Sequence, residues 1–543
     1  MEKKNYMTSN TEEMVSIPRA EYEALLKKQD SLEKQLEDAC KRYDWLVQQL
    51  ALSKKKLFGK SSELADESVM EQLSLLFNEA EVTDSGSFTA RDEKTEVRSY
   101  TRSRRSGSIE DVIPEGIPVE TVEHRLEGED LLCPNCGEEM EVIGKESRKT
   151  MKIIPASIVV REDVYFTYAC KKCEEESGEA VIRKAERLPA FLPGSFASPE
   201  AVAYLMTQKY VMYSPIYRME QELNRMGVNL SRQTMSNWIL HASEDWLKPV
   251  YEALKKKLRA QRVLHADETT LQVLHEPGKS AESKSYIWLY RTSGDAENAI
   301  VLYDYKPNRK PENAEKFLEG FTGWLHADGY AGYRKLPEKI RIVGCWAHAR
   351  RKFDEALNTL PESGRKGSPA ARGEAYISEL FQIEGRLSGL SPEERRKQRL
   401  EEEKPILDAL FAWAEGLRPK TAAKSALGKA LYYLEEQKPY LLRYLEDGRL
   451  ELSNNRAERS IKPFVMGRKN WLFANTPAGA CSSAVISSIV ETAKENGLDP
   501  YKYLLYIFKT APALERQKQD WTDPLLPENA PKDCKTKNNP KDA

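Results

Sequence analysis

A chain of 543 residues, 40% apolar and 31% charged, is too long for one hydrophobic core and is expected to divide into several domains. No apolar run approaches the roughly 18 residues that span a bilayer. The polar start Met-Glu-Lys-Lys-Asn-Tyr lacks the apolar heart of a secretory signal, so the expected compartment is the cytoplasm. A net charge of −2 excludes a uniformly basic surface, and any affinity for a polyanion must be local.

From the N-terminus, Tyr22, Gln29, Leu36, Tyr43, Leu50 and Leu57 share one heptad position, and Leu25, Leu32, Ala39, Leu46 and Ser53 share the other. With Glu and Lys between them, these predict a coiled coil over 18–58 that pairs two copies of the chain. The alternative is an amphipathic helix packed on its own protein. Residues 59–115 are rich in Ser, Thr, Glu and Arg and read as a linker. Its Arg98, Arg102, Arg104 and Arg105 form a basic run that either clamps phosphates or is merely solvated.

The chain has eight cysteines, and two tight pairs, Cys133-Pro-Asn-Cys136 and Cys170-Lys-Lys-Cys173, point to metal rather than to a disulfide framework. Alternating segments at 157–161 and 164–168 lie between them. A zinc-ribbon-like domain over 116–185 is expected, with Zn²⁺ held by all four thiolates. A closed Cys₄ site leaves no open coordination position, so this zinc would be structural. The competing reading is a redox pair or unrelated cysteines.

Residues 186–255 are helical in pattern. Pro215 to Met226, the turn Gly227-Val228-Asn229-Leu230, and Ser231 to Ala242 resemble a helix-turn-helix. Ser231 as N-cap would set Arg232, Gln233, Thr234 and Asn237 on the first turns, where a recognition helix meets base edges. A plain helical domain would show similar helix pairs.

After Leu258 the pattern turns to strands: Gln261–Leu264, Ser285–Thr292 and Ala299–Tyr305, a helix at Pro311–Glu319, then Gly323–His326 and Lys339–Trp346. Three strands, a helix, a strand, a helix and a strand is the order of a ribonuclease H-like fold. The tripeptide His-Ala-Asp closes two of these runs, at His265-Ala266-Asp267 and His326-Ala327-Asp328. In that fold the first and fourth strands are neighbours, so two aspartates leaving the sheet at one edge would converge. Together they can hold hard cations such as Mg²⁺ or Mn²⁺. A third carboxylate would complete a site for in-line attack on phosphodiesters. Residues 351–444 look like an all-α insertion, and beyond it Glu458 falls on a helix begun near Asn454 or Asn455, with Arg459, Lys462, Arg468 and Lys469 as phosphate-binding charge around it. Each member has a plainer reading. Asn455 and Glu458 are spaced as a capping box, Asp267 could open a turn, and Asp328-Gly329 is a common turn pair. The two histidines either orient the aspartates or are buried groups bonded to backbone.

The expected architecture is therefore multidomain α+β: coiled coil, zinc domain, helical DNA-binding domain, and a ribonuclease H-like α/β core over 256–350 and 445–510 interrupted by the all-α insertion, with a flexible tail at 511–543. Several motifs in order carry a resemblance: Leu57-Phe-Gly-Lys-Ser-Ser-Glu63, the two CxxC knuckles, Lys209-Tyr210 with Pro215-Ile-Tyr-Arg218, and His265-Ala-Asp-Glu-Thr269. Asp328-Gly-Tyr-Ala-Gly-Tyr333, Cys345-Trp-Ala-His-Ala-Arg-Arg351 and Asn454-Asn-Arg-Ala-Glu-Arg459 continue it. On these the chain resembles transposases of the insertion sequence 66 family, a branch of the DDE transposases. The resemblance implies Asp267, Asp328 and Glu458 as the metal-binding triad, Cys345 and His348 as supporting residues, and insertion-sequence ends and target DNA as partners. It also implies accessory proteins of the same element. A metal-dependent nuclease or resolvase of the same fold, or a non-catalytic zinc and helix-turn-helix regulator, would share much of this pattern.

Overall fold

The computed structural model of the chain describes Lys28, Thr121 and residues 157–170, 181–185, 190–515 and 521–536. The expected coiled coil (all but Lys28), the basic linker run and Cys133, Cys136 and Cys173 lie outside these residues, and of Cys170 only the backbone is described. The chain divides into two compact units, residues 89–188 and the remainder.

In the 89–188 unit, β1 (Thr167–Cys170) pairs antiparallel with β2 (Val181–Lys184), Thr167 opposite Lys184 and Cys170 opposite Val181. The alternating segment at 157–161 forms no strand. It has no ladder partner among the described residues, and its Val159 and Val160 stand in solvent.

The larger unit opens with α1 (Pro199–Tyr210), α2 (Ile216–Arg225), α3 (Arg232–Ala242) and, after one π-helical turn at Ser243–Leu247, α4 (Lys248–Arg259). Gly227, at φ +84°, makes the turn between α2 and α3 in a conformation that side chains disfavour. Ser231 caps α3 by accepting the Thr234 N–H at 3.1 Å.

Five strands then form one sheet: β3 (Val263–Gln272), β4 (Lys284–Thr292), β5 (Val301–Lys306), β6 (Gly323–His326) and β7 (Ile340–Val343). Their spatial order is β5-β4-β3-β6-β7. The first three are antiparallel, and β6 and β7 run parallel to β3. Helix α5 (Pro311–Phe317) makes the crossover from β5 to β6. No helix joins β6 to β7, against expectation: the link holds a single 3₁₀ turn, Tyr333–Lys335, and Leu336 before Pro337 is extended. The ring of a proline forces that conformation on the residue before it and so ends the turn. Trp346 is likewise not in the last strand. Gly344 N–H bonds Tyr440 O at 3.0 Å, which draws the chain off the ladder, and Trp346 opens helix α6 (Trp346–Leu357).

The sheet is covered on both faces, which explains the near-continuous apolar run of β4. Trp288 and Tyr290 face a core shared with α4 and α5, while Ile287 and Leu289 face one shared with α11 (Asn455–Trp471) and α12 (Pro477–Glu495). Between α6 and α11 come α7 (Pro369–Leu387), α8 (Pro392–Gln398), α9 (Lys404–Leu417) and α10 (Ala426–Leu441). Helices α6, α7, α9 and α10 build a separate core in which Phe353, Leu380, Leu410 and Leu434 meet Val343 and Trp346. Helix α13 is Pro500–Glu515. The tail expected to be flexible from 511 is packed over 521–536: Leu525 and Leu526 are buried in the main core, and Asp499 N–H bonds Cys534 O at 2.7 Å. Leu525, Leu526, Pro527 and Cys534 are the buried residues of this otherwise polar segment. No helix among the described residues is long and apolar enough to cross a membrane.

Candidate active site at the branch of two strands

Parallel pairing of β3 with β6 covers Val263–Trp324, Leu264–Leu325 and His265–His326, and stops there. Asp267 and Asp328 each lie two residues beyond the aligned histidines. Asp267 is not, however, where β3 leaves the sheet. Glu268 to Gln272 continue the strand, paired with Trp288 to Lys284 of β4, so Asp267 sits in mid-strand and the opening beside it comes from the departure of β6. It opens no turn. Asp328 does serve its local turn as well, accepting the Tyr330 N–H at 2.9 Å.

Glu458, one turn into α11, is 13% exposed. It makes no capping box: the N-cap residue Asn454 has no side-chain cap bond. Its Oε2 receives Arg351 Nη2 from α6 at 3.3 Å, and its Oε1 faces His348 Nδ1 at 3.6 Å. Neither that Oε1 nor that Nδ1 has a hydrogen-bond partner, although both are buried.

The three carboxylates are electrostatically uncomfortable. Burial pushes Asp267 well above the ordinary carboxylate range, and the charges of Glu268, Asp328 and Glu458 push it further. Burial raises Asp328, against the Tyr330 N–H bond and Arg309. It also raises Glu458, against Arg351. A cluster of this kind, with one carboxylate oxygen lacking any donor, suits a hard divalent cation that takes oxygen ligands. Among the described residues, one group has its ligand atoms within 4.8 Å of one another, and it is Cys345 Sγ, a His348 nitrogen and a Glu458 oxygen rather than the three carboxylates. Burial pushes the Cys345 thiol up to about 12, and Sγ accepts the Asn454 N–H at 3.1 Å, so in the metal-free chain Cys345 is a neutral thiol tied to the start of α11.

Behind the aspartates is a buried polar layer. The His265 and His326 rings stack at 4.4 Å with 9° between planes. Burial lowers His265 to about 4 and His326 well below its usual value, so both are neutral at neutral pH. Asn454 Nδ2 donates to Ala266 O at 2.8 Å, which leaves Oδ1 to accept from His265 Nδ1 at 3.0 Å. His326 Nε2 accepts the Glu451 N–H at 3.2 Å. The histidines thus bond Asn454 and backbone, and no described hydrogen bond joins either of them to an aspartate. Asn454 ties β3, Cys345 and the start of α11 together.

Three residues escaped the sequence reading. Glu268, whose side chain is 1% exposed, holds Arg309 by ion pair and receives the Tyr333 hydroxyl at 2.6 Å. Arg309 lies 4.0 Å from Asp328 and 3.9 Å over the Tyr330 ring. Arg351 is the cation beside Glu458, a place expected for Arg459, Lys462, Arg468 and Lys469. Of these, Arg459 and Lys469 are exposed, Lys462 is half-buried, and Arg468 Nη1 bonds Thr269 Oγ1 at 3.3 Å and Thr270 Oγ1 at 3.0 Å. Only the adjacency of Glu268 to Asp267 and of Arg351 to the Cys345–His348 motif could have flagged these groups. On α3, Gln233 and Asn237 are exposed and bonded to each other at 2.9 Å, Thr234 bonds its cap, and Arg232 is turned back to Glu220 at 3.0 Å.

Residues 194–482, more than half of the chain, match the model of the IS66 transposase family. Residues 130–174, spanning all four paired cysteines, match the zinc-finger binding domain of transposase IS66. Residues 488–527 match the IS66 C-terminal element, and 45–122 a model described as transposase C of IS166 homeodomain. Among curated proteins, the uncharacterized protein y4jD of Sinorhizobium fredii is 30% identical over 393 residues, 70% of this chain and 74% of that protein. The uncharacterized protein y4hP of the same organism is 28% identical over 475 residues, 83% of each chain. The chain belongs to the IS66 family of transposases, with the family's zinc-binding and DNA-binding domains.

Proposed function

We propose that this chain is a DNA transposase with a ribonuclease H-like core, which nicks the ends of its insertion sequence and joins the freed 3′ hydroxyl to target DNA. The observation that supports this reading is the register of β3 and β6: aligned histidines at His265–His326 put Asp267 and Asp328 at equivalent steps, and the charge of Glu458 on α11 acts on Asp267. Asp267, Asp328 and Glu458 would hold Mg²⁺ or Mn²⁺. A bound divalent cation supplies charge neutralisation at the transferring phosphate and activates the attacking oxygen. The protein does the rest. Asn454 locks the strand and helix that carry Asp267 and Glu458. Arg309 and Arg351 compensate Asp328 and Glu458 while the site waits for substrate. Gln233 and Asn237, exposed on α3, would read base edges, and the exposed Arg459 and Lys469 would meet phosphates. Dimerisation through the N-terminal zipper, zinc held by Cys133, Cys136, Cys170 and Cys173, and accessory proteins of the same element belong to the same reading, which places the protein in the cytoplasm on the nucleoid.

The test uses duplexes taken from the DNA flanking the gene, incubated with full-length protein and Mg²⁺. Nicked 3′ ends and their joining to a target plasmid are expected. Asp328→Asn should lower both by at least about a thousandfold while still shifting end DNA in a gel, since several kcal/mol of transition-state stabilisation disappear. Nicking without joining would reduce the protein to a nuclease, and Asp328→Asn cutting like the parent would remove the triad.

A further inference from the structure

Among the described residues, two that are not glycine have positive φ, Tyr213 at 57° and Leu472 at 65°. Both adjoin Trp471, which Leu472 follows in the chain. The Tyr213 and Trp471 rings are 6.5 Å apart, Tyr210 meets Trp471 edge-on at 5.9 Å, and Lys209 Nζ lies 5.9 Å from the same indole. Leu472, with ψ −51° and the Phe473 N–H bonded to Trp471 O at 2.8 Å, is the centre of a γ-turn of the strained, positive-φ kind.

The turn cannot relax. On one side Leu472 N–H closes α11 on Arg468 O at 2.7 Å; on the other Leu274 N–H holds Ala474 O at 3.0 Å, fastening the exit to the end of β3. Yet the strained leucine packs on little: Leu472 is 65% exposed and Phe473 41%. Burial therefore does not account for the strain, and strain of this kind persists where a function needs the geometry. Lys469 is exposed on the same end of α11, and Lys209 stands across Trp471. Apolar tips rimmed by cations suit one occupant above others, the stacked bases of a polyanionic duplex.

We propose that Leu472 and Phe473 form a wedge that enters the base stack of bound DNA and unstacks one step beside the cleavage site. The proposal rests on the transposase reading above and adds a contact to it. Leu472 sits at the far end of α11 from Glu458, about 21 Å away at 1.5 Å per residue. That is the rise of about six base pairs. Tyr213 belongs to the link into α2, so the wedge adjoins the start of the helix pair and also ends the helix that carries Glu458, and DNA engaging both would pass beside it. A step opened there bends the duplex toward the cleft.

The experiment scans 2-aminopurine along end duplexes bound by the full-length chain in Ca²⁺, and follows cleavage in Mg²⁺. The native chain should raise fluorescence at one step within about six base pairs of the cut. Leu472→Gly with Phe473→Ala should abolish that signal and slow cleavage of paired ends about tenfold, the worth of one base–aromatic contact. A mismatch at that step should bring the variant back to within about twofold of the parent, because the unstacking is then already made. Leu472→Gly alone should melt no lower than the parent, since glycine accepts positive φ. Cleavage of paired ends by the double variant at the parent's rate, or no fluorescent step in a chain that cuts, overturns the wedge and leaves the transposase reading standing. A fluorescent step lost in the variant, in a chain that never cuts any end, supports the wedge and overturns the catalytic reading. Loss of self-association with the fluorescence unchanged would make the turn a contact between copies and overturn the wedge.

Discussion

Asp267 concentrates the conflict between stability and chemistry in this site. Burial and three neighbouring carboxylates raise its carboxyl well above the usual range, so in the metal-free chain its protonated form is the comfortable one. The stability this lends is fully present below the ordinary aspartate value and is lost as pH rises through the raised one. Asp267→Asn removes the charge and keeps an acceptor for the Glu268 N–H, which bonds Asp267 Oδ1 at 2.8 Å. Without divalent metal the variant should unfold at higher temperature than the parent, by roughly 1 kcal/mol, with the gap wider at pH 8 than at pH 5. Mn²⁺ should stabilise the parent and leave the variant unmoved. Calorimetry at the two pH values checks this, and a gap that shrinks with rising pH would show that the carboxylate is compensated by groups other than those named. Asn454 belongs to the same scale. Asn454→Ala leaves Ala266 O and His265 Nδ1 without partners in a layer that water does not reach, a loss of about 1–3 kcal/mol by chemical denaturation.

The elements decide whether two distant aspartates stand together. Strand β6 is short, and it enters the ladder through Gly323, at φ +148° and against the Arg262 carbonyl, which a Cβ would strike. Gly323→Ala should therefore shift β6 off β3, lowering stability by about 1–3 kcal/mol and DNA cleavage more than DNA binding. Melting curves beside cleavage and gel-shift assays measure both; equal loss of cleavage and binding would point to general unfolding instead. How far the elements could be foreseen depends on how local their causes are. The histidine–aspartate repeats and the apolar run of β4 are written in consecutive residues and could be read directly. The extension of β3 through Glu268-Thr269-Thr270 could not, because its polar residues become strand only through pairing with β4. Arg309 and Arg351 were hidden for the same reason. Each meets its carboxylate only after the chain has folded back, 41 residues for Arg309 and Glu268 and 107 for Arg351 and Glu458.

At the scale of the whole molecule, the zinc-finger match over 130–174 spans both CxxC pairs, so freshly purified protein should carry about one Zn²⁺ per chain. Cys133→Ser should lose it, and elemental analysis of the two proteins reads the difference directly. Deleting residues 1–57 should leave single-end binding and weaken paired-end complexes, because five apolar heptads are long enough to hold two chains. An unchanged sedimentation profile would move the contact elsewhere. The packed segment at 521–536 shows where composition misleads at this scale: Leu525, Leu526, Pro527 and Cys534 are its few buried anchors within a polar, Pro-rich stretch.

The central claim is that Asp267, Asp328 and Glu458 act together as ligands of a catalytic cation, and metal-specificity rescue tests it most directly. Asp328→Cys replaces a hard oxygen by a softer thiolate, which tolerates Mn²⁺ better than Mg²⁺. Cleavage of end DNA by this variant should be undetectable in Mg²⁺ and should recover at least about tenfold in Mn²⁺, a preference of over 1 kcal/mol that the parent does not share. Equal activity of Asp328→Cys in the two metals, at the parent's rate, would contradict the account.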